Sequence, residues 1–123
     1  MRVLIADDDR AFSALVAGWL RGKGHIVQVT FDAATTLMAA MHDPPDVIVL
    51  DVQMPAGSGL DTLRKLKNLP RTAGVPVIVA SAVEDPTLGD RATGLGAVRF
   101  LPKPIRLEDL DAALRNAFGS TPS

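Results

Sequence analysis

The sequence predicts an α/β domain of the doubly wound kind, with a five-stranded parallel sheet covered by helices on both faces. Three observations carry this. Short aliphatic runs recur at five places, and segments with helical spacing separate them in strict alternation. The central runs Val47 to Leu50 and Val77 to Ala80, like Val3 to Ala6, are apolar throughout, as strands buried on both faces are. The length of 123 residues suits one domain with a single core, and 47% apolar residues is a globular rather than a disordered composition.

Val3 to Ala6 is the first strand, too brief for a helix. Phe12, Leu15, Val16, Trp19 and Leu20 then share one helical stripe, expected to face the core, and Gly24 is the expected stop. Ile26 to Val29 is the second strand. Asp32 can cap a second helix carrying Leu37, Met38 and Met41, which Asp43-Pro44-Pro45-Asp46 ends. Met38, Met41 and Met54 are read as core or loop packing residues. After the third strand, Val47 to Leu50, a helix is expected from about Ser58 to Leu69, and after the fourth, Val77 to Ala80, another from Pro86 to Gly96. Gly89, Gly94 and Gly96 weaken that fourth helix, so it is expected to be short or mobile. Val98 to Leu101 is the fifth strand, and Leu107, Leu110, Leu114, Ala117 and Phe118 make the last helix amphipathic. Residues 1–118 are thus expected to form the domain, and 119–123 a tail or the start of a linker.

Composition narrows the function classes. Thirteen Lys and Arg against fourteen Asp and Glu give a formal charge of −1, so no basic field is available for direct nucleic acid binding. Runs such as Val47 to Leu50 are far too short to cross a bilayer. The absence of cysteine removes disulfides, thiolate nucleophiles and Cys-based zinc sites together. Asp7 follows Met1-Arg2-Val3-Leu4-Ile5 too soon for a signal peptide, which favours a cytoplasmic location.

In doubly wound folds ligands bind outside the carboxyl ends of the strands. There the sequence sets Asp7, Asp8 and Asp9 after the first strand, Asp51 after the third, Ser81 after the fourth and Lys103-Pro104 after the fifth. Singly, these are a helix start, a turn residue, a loop hydroxyl and a solvated charge. Together they are a chemistry. Crowded carboxylates repel one another unless a cation intervenes, and a hard divalent ion such as Mg²⁺ takes oxygen ligands while keeping positions open. Asp8, Asp51 and one backbone carbonyl, with Asp7 holding a water, would make such a site. An open site invites a phosphoryl oxygen, so Asp51 is read as a nucleophile at phosphorus, with Lys103 and Ser81 bearing on the phosphoryl oxygens. For Lys103 to turn back over the strand edge, a cis Lys103-Pro104 bond is expected.

With these residues in order, the chain resembles the receiver domains of two-component response regulators. The likeness spans residues 2 to 118 and rests on Val3-Leu4-Ile5-Ala6-Asp7-Asp8-Asp9, Asp51-Val52-Gln53-Met54-Pro55 with Gly59-Leu60 beyond, Ala80-Ser81-Ala82, and Phe100-Leu101-Pro102-Lys103-Pro104. The resemblance implies a flavodoxin-like three-layer fold with sheet order 2-1-3-4-5. It makes Asp51 the phosphoacceptor, Asp7 and Asp8 the acidic pair, and the Gln53 carbonyl a metal ligand with Mg²⁺ as cofactor. Ser81 becomes the switch hydroxyl, Phe100 the switch aromatic and Lys103 the phosphoryl-binding lysine. Gln53 and Val83 stand where the family tunes phospho-aspartate lifetime. The implied partners are a histidine kinase or phosphotransfer protein, and an output domain or target met through the fourth helix, fifth strand and fifth helix. Such a domain is a signalling phosphoacceptor that assists its own phosphorylation and dephosphorylation rather than a turnover enzyme.

Three other readings compete. A haloacid dehalogenase-like phosphotransferase also uses a strand-end Asp, but Gln53 stands where its second carboxylate is needed. A flavodoxin-like cofactor carrier would need a phosphate cradle where Asp7, Asp8 and Asp9 repel one. A receiver-like interaction scaffold that is never phosphorylated would not need the full residue set. His25 and His42 lie outside the strand-end cluster and receive no role.

Overall fold

The computed structural model of the chain describes residues 1–54 and 59–119. Pro55, the Ser58 helix start and residues 120–123 of the expected tail lie outside the described residues, as does the side chain of Phe118. Among the described residues ten elements alternate: β1 (Arg2–Ala6), α1 (Arg10–Gly22), β2 (Ile26–Thr30), α2 (Ala33–His42), β3 (Val47–Asp51), α3 (Gly59–Asn68), β4 (Val77–Ser81), α4 (Leu88–Gly94), β5 (Arg99–Pro102) and α5 (Leu107–Gly119). All neighbouring strands pair in parallel, in the order β2-β1-β3-β4-β5. The expected fold class and strand order are both present.

The sheet has two apolar faces because its side chains alternate with a period of two. Val3, Ile5, Val47, Val49, Ile78 and Ala80 pack under Val16, Ala17 and Leu20 of α1 and Leu110, Ala113 and Leu114 of α5. Leu4, Ile48, Leu50, Val77 and Val79 pack on the other side, under Ala40 of α2, Leu63 and Leu66 of α3 and Leu88 and Ala92 of α4. The result is three layers, with β3 and β4 buried along their whole length. Among the described residues no helix is long and apolar enough to cross a membrane.

The helix ends follow local chemistry. Asp9 caps α1 by accepting from the Phe12 amide at 3.0 Å, and Asp32 caps α2 by accepting from the Thr35 amide at 2.8 Å. Gly24, just beyond α1, has φ +92°, a conformation that a Cβ would strain. Helix α4 has seven residues, shorter than the expected span, and its cap Thr87 makes no side-chain capping bond.

Three packing expectations need correction. Leu15 is 62% exposed, because the buried stripe of α1 is turned toward the small residues Ser13 and Ala17, which let the helix lie close on the sheet. Met38 and Met41 are exposed as well, since α2 buries its small residues Ala33, Thr36 and Ala40, and only Met54 joins the core. The fifth strand starts at Arg99 rather than Val98 and runs to Pro102, which pairs with Ser81 at the outer edge of the sheet. Val98 is exposed.

Candidate functional site

The carboxyl ends of β1 and β3, neighbours at the middle of the sheet, each carry a buried carboxylate. Asp7 follows β1 and Asp51 ends β3, at 2% and 5% exposure, while Asp8 is exposed. Carboxylate oxygens of Asp7, Asp8 and Asp51 all lie within 4.8 Å of one another. The expected acidic cluster is therefore assembled.

Asp7 is fixed from three sides. One of its carboxylate oxygens accepts from the Asp9 amide at 2.9 Å, the other from the Lys103 ammonium at 2.7 Å, and its carbonyl accepts from the buried Ser13 hydroxyl at 3.1 Å. Lys103 belongs to the segment after β5 and is separated from Asp7 by 96 positions. Its amide donates to the Ser81 carbonyl at 2.8 Å, and the Lys103-Pro104 peptide is cis, as expected. The ammonium, 3.7 Å from Asp51, thus stands between two carboxylates with its side chain 14% exposed.

The Asp51 carboxylate accepts from the Gln53 amide at 3.0 Å. Burial pushes its pKa up from 3.8 to about 6, and the Asp7 charge adds to that, while the Gln53 amide and Lys103 pull the other way. Asp51 is therefore an unusually basic carboxylate, ionised at neutral pH and confined among oxygens. Three negative charges against one ammonium leave the cluster at a formal −2. Hard oxygen donors so crowded suit a divalent cation: the residues could hold a metal ion, with carboxylates as its ligands.

Ser81 ends β4 beside Asp51 in the sheet, since Asp51 pairs with Ala80. Its hydroxyl oxygen accepts from the Val83 amide at 3.0 Å, so its own proton remains to be donated elsewhere. Phe100, on β5, lies outside the carboxylate cluster. Its ring leans on α4, where a Cβ built on Gly89 would sit 3.3 Å from the ring. Between them, a depression of about 400 Å³ is lined by Ser81, Val83, Pro86, Phe100 and Lys103. Gly89, which the sequence shows only as a weak spot in a helix, is the place where that ring comes close.

One residue was not legible as part of the site. Phe12 reads as a core position, yet the centroid of its ring is 4.4 Å from the Lys103 ammonium. The only sequence signal was its place in the first turn of α1, on the same end of the sheet as the carboxylates.

The family described as response regulator receiver domain matches residues 3–115. The response regulator PleD of Caulobacter vibrioides (strain NA1000 / CB15N) is 41% identical over 106 residues, covering 85% of this chain and 23% of that protein. Response regulator MprA of Mycobacterium avium (strain 104) is 38% identical over 119 residues, covering 94% of this chain and 50% of that protein. The chain therefore spans about a quarter to a half of these relatives. Among solved structures, a Francisella response regulator 1452 receiver domain superposes with a TM-score of 0.89 at 26% identity, covering 98% of both chains. A two-component response regulator from Clostridium difficile reaches 0.92 at 21% identity over 100% of this chain and 99% of that one, a likeness of fold.

Proposed function

Because this chain belongs to the response regulator receiver domain family, we propose that it is a phosphoacceptor module that takes a phosphoryl group from a phosphohistidine onto Asp51. The observation that carries the reading is a buried, basic carboxylate placed within 4.8 Å of two others and 3.7 Å from an ammonium.

In the step, an Asp51 carboxylate oxygen attacks phosphorus opposite the leaving imidazole. An O–P bond forms, the P–N bond breaks, and its electron pair returns to the imidazole nitrogen. Lys103 turns from Asp7 toward the phosphoryl oxygens, and the Ser81 hydroxyl donates its proton in a hydrogen bond to another of them. Asp7, Asp8, Asp51 and the Gln53 carbonyl would hold Mg²⁺, a fit supported by the all-oxygen donor set and its surplus negative charge. The ion supplies charge neutralisation at the phosphoryl oxygens. Positioning by these groups is what lets the domain assist its own phosphorylation and dephosphorylation without turning over a separate substrate.

The phosphorylated state draws Ser81 inward, and the Phe100 ring moves into the space beside the β4–α4 loop. The output surface is α4, β5 and α5, offered to an output domain or target protein, with a histidine kinase or phosphotransfer protein as donor in the cytoplasm. Residues 1–118 form this receiver domain. Support comes from the short α4 and from the 400 Å³ depression next to Phe100.

The test is to incubate the chain with Mg²⁺ and acetyl phosphate and weigh it intact. A gain of one phosphoryl mass is expected in the wild type and none in Asp51→Asn. Equal labelling of the two would overturn the assignment.

A further inference from the structure

The Lys103 ammonium has three N–H donors and three neighbours, two carboxylates and an aromatic ring. The Asp7 carboxylate takes one at 2.7 Å, Asp51 stands 3.7 Å away, and the ring of Phe12 has its centroid at 4.4 Å. That distance lies within the range at which a ring face attracts a cation, and the attraction grows as water is excluded. Water is largely excluded here, since the lysine side chain is only 14% exposed.

Phe12 is also firmly placed. Its amide donates to the capping carboxylate of Asp9, and its neighbour Ser13 is tied to the Asp7 carbonyl. Its ring, partly buried, packs against the core that α1 and α5 form with the sheet. The ring is thus fixed to the same turn that fixes Asp7, so ammonium, ring and carboxylate share one frame. The ring also lines a mainly apolar hollow of about 420 Å³ with Leu15, Ile105, Leu107 and Lys103 itself. An aliphatic side chain in its place would keep water away but offer the ammonium no compensating attraction, which disfavours the charged group it covers.

We propose that Phe12 is a positioning residue for phosphoryl transfer, its ring face holding the Lys103 ammonium between Asp7 and Asp51 so that the lysine meets the phosphoryl oxygens as they arrive. The role rests on the reading of Asp51 as phosphoacceptor. It acts through Lys103 and makes no contact with the phosphoryl group.

Fluorination of the ring tests this, because it drains charge from the face while nearly preserving shape. Phenylalanine bearing one, two or three fluorines is placed at position 12 of the chain, and uptake from acetyl phosphate with Mg²⁺ is followed by intact mass. The rate is expected to fall at each step, by about fivefold at the last. Phe12→Leu should lose about as much, and Phe12→Trp should match or exceed the wild type. In a Lys103→Ala background, Phe12→Leu should change nothing further. Thermal melts of each variant confirm that the fold is kept. A rate that is flat across the fluorinated series, or a further loss in the Lys103→Ala background, would overturn the proposal while leaving Asp51 as acceptor. A wild type that gains no phosphoryl mass would instead remove the phosphoacceptor reading, and this role with it.

Discussion

Helices α1 and α4 pack on opposite faces of one sheet, α1 beginning next to the carboxylate site and α4 following the loop after Ser81, and they are held very differently. The 13 residues of α1 are capped by Asp9, bury Ser13, Val16, Ala17 and Leu20, and donate a hydrogen bond straight to Asp7. The seven residues of α4 follow Thr87, which gives no side-chain cap, bury Leu88 and Ala92, and leave a depression of about 400 Å³ between their leading loop and β5. The difference separates two tasks. Groups that must meet a phosphoryl oxygen need a rigid frame, whereas an element that reports a change must be cheap to move.

The two helices should differ most in hydrogen exchange. Amides of Val16, Ala17 and Leu20 should be protected at least about a hundredfold more than those of Ala92 and Thr93, because local opening of a short helix exposes little apolar surface. Equal protection would erase the distinction between a fixed side and a movable one.

Next is the pH dependence of the site itself. Burial raises the Asp51 pKa from 3.8 to about 6, so between those values the folded chain binds more protons than the unfolded one. Stability carried by this group is therefore complete below pH 3.8 and is lost as pH rises through about 6, by on the order of 2 kcal/mol. Metal-free denaturation at pH 5 and pH 7 should show about 1 kcal/mol of that fall in the wild type, the rest lying below pH 5, and a smaller one in Asp51→Asn. Added Mg²⁺ should restore stability at pH 7, by mass action on the folded state. A wild-type profile no steeper than that of Asp51→Asn would mean that the carboxylate is not held in a disfavoured environment.

Ser13→Ala removes the hydroxyl that links α1 to the Asp7 carbonyl and should cost about 1 kcal/mol in urea denaturation. Phosphoryl uptake should slow with it, since the turn that carries Asp7 loses an anchor. Unchanged uptake would place the anchoring of Asp7 in its bonds to Asp9 and Lys103 alone.

Gly89→Ala on the other side should be nearly neutral, within about 0.5 kcal/mol, because the gain in helix propensity is offset by crowding against Phe100. The added Cβ would stand 3.3 Å from the ring, and the open space beside β5 lets the ring give way. Shifted Phe100 ring resonances with little change in melting temperature are the expected result. A large destabilisation would show that this ring is locked in place rather than free to move.

The chain wrote its element order plainly because strands and helices are local patterns. The uniform aliphatic runs of β3 and β4 marked strands buried on both faces, and Asp9 and Asp32 occupy capping positions that their residue type suits. Carboxylates, hydroxyl and lysine at strand ends were equally legible, since a parallel sheet brings all its carboxyl ends to one edge. Helical rotation was less so. Leu15 and Met38 satisfy a helical spacing and still face solvent, because small residues decided which side of α1 and α2 lies against the sheet. Spacing constrains which residues share a stripe, but only close packing chooses among overlapping stripes.

By itself, then, the sequence determined which residue types stand at the edge of the sheet, and so the class of chemistry open to them. Tertiary structure alone decided the partnerships there: that Lys103 pairs with Asp7 across 96 positions, that the ring of Phe12 lies against that ammonium, and that Phe100 rests on Gly89. The reason is geometric. A capping bond spans three residues and follows from backbone angles, whereas these contacts join segments brought together only when five strands register and their helices settle on them, which no local pattern encodes.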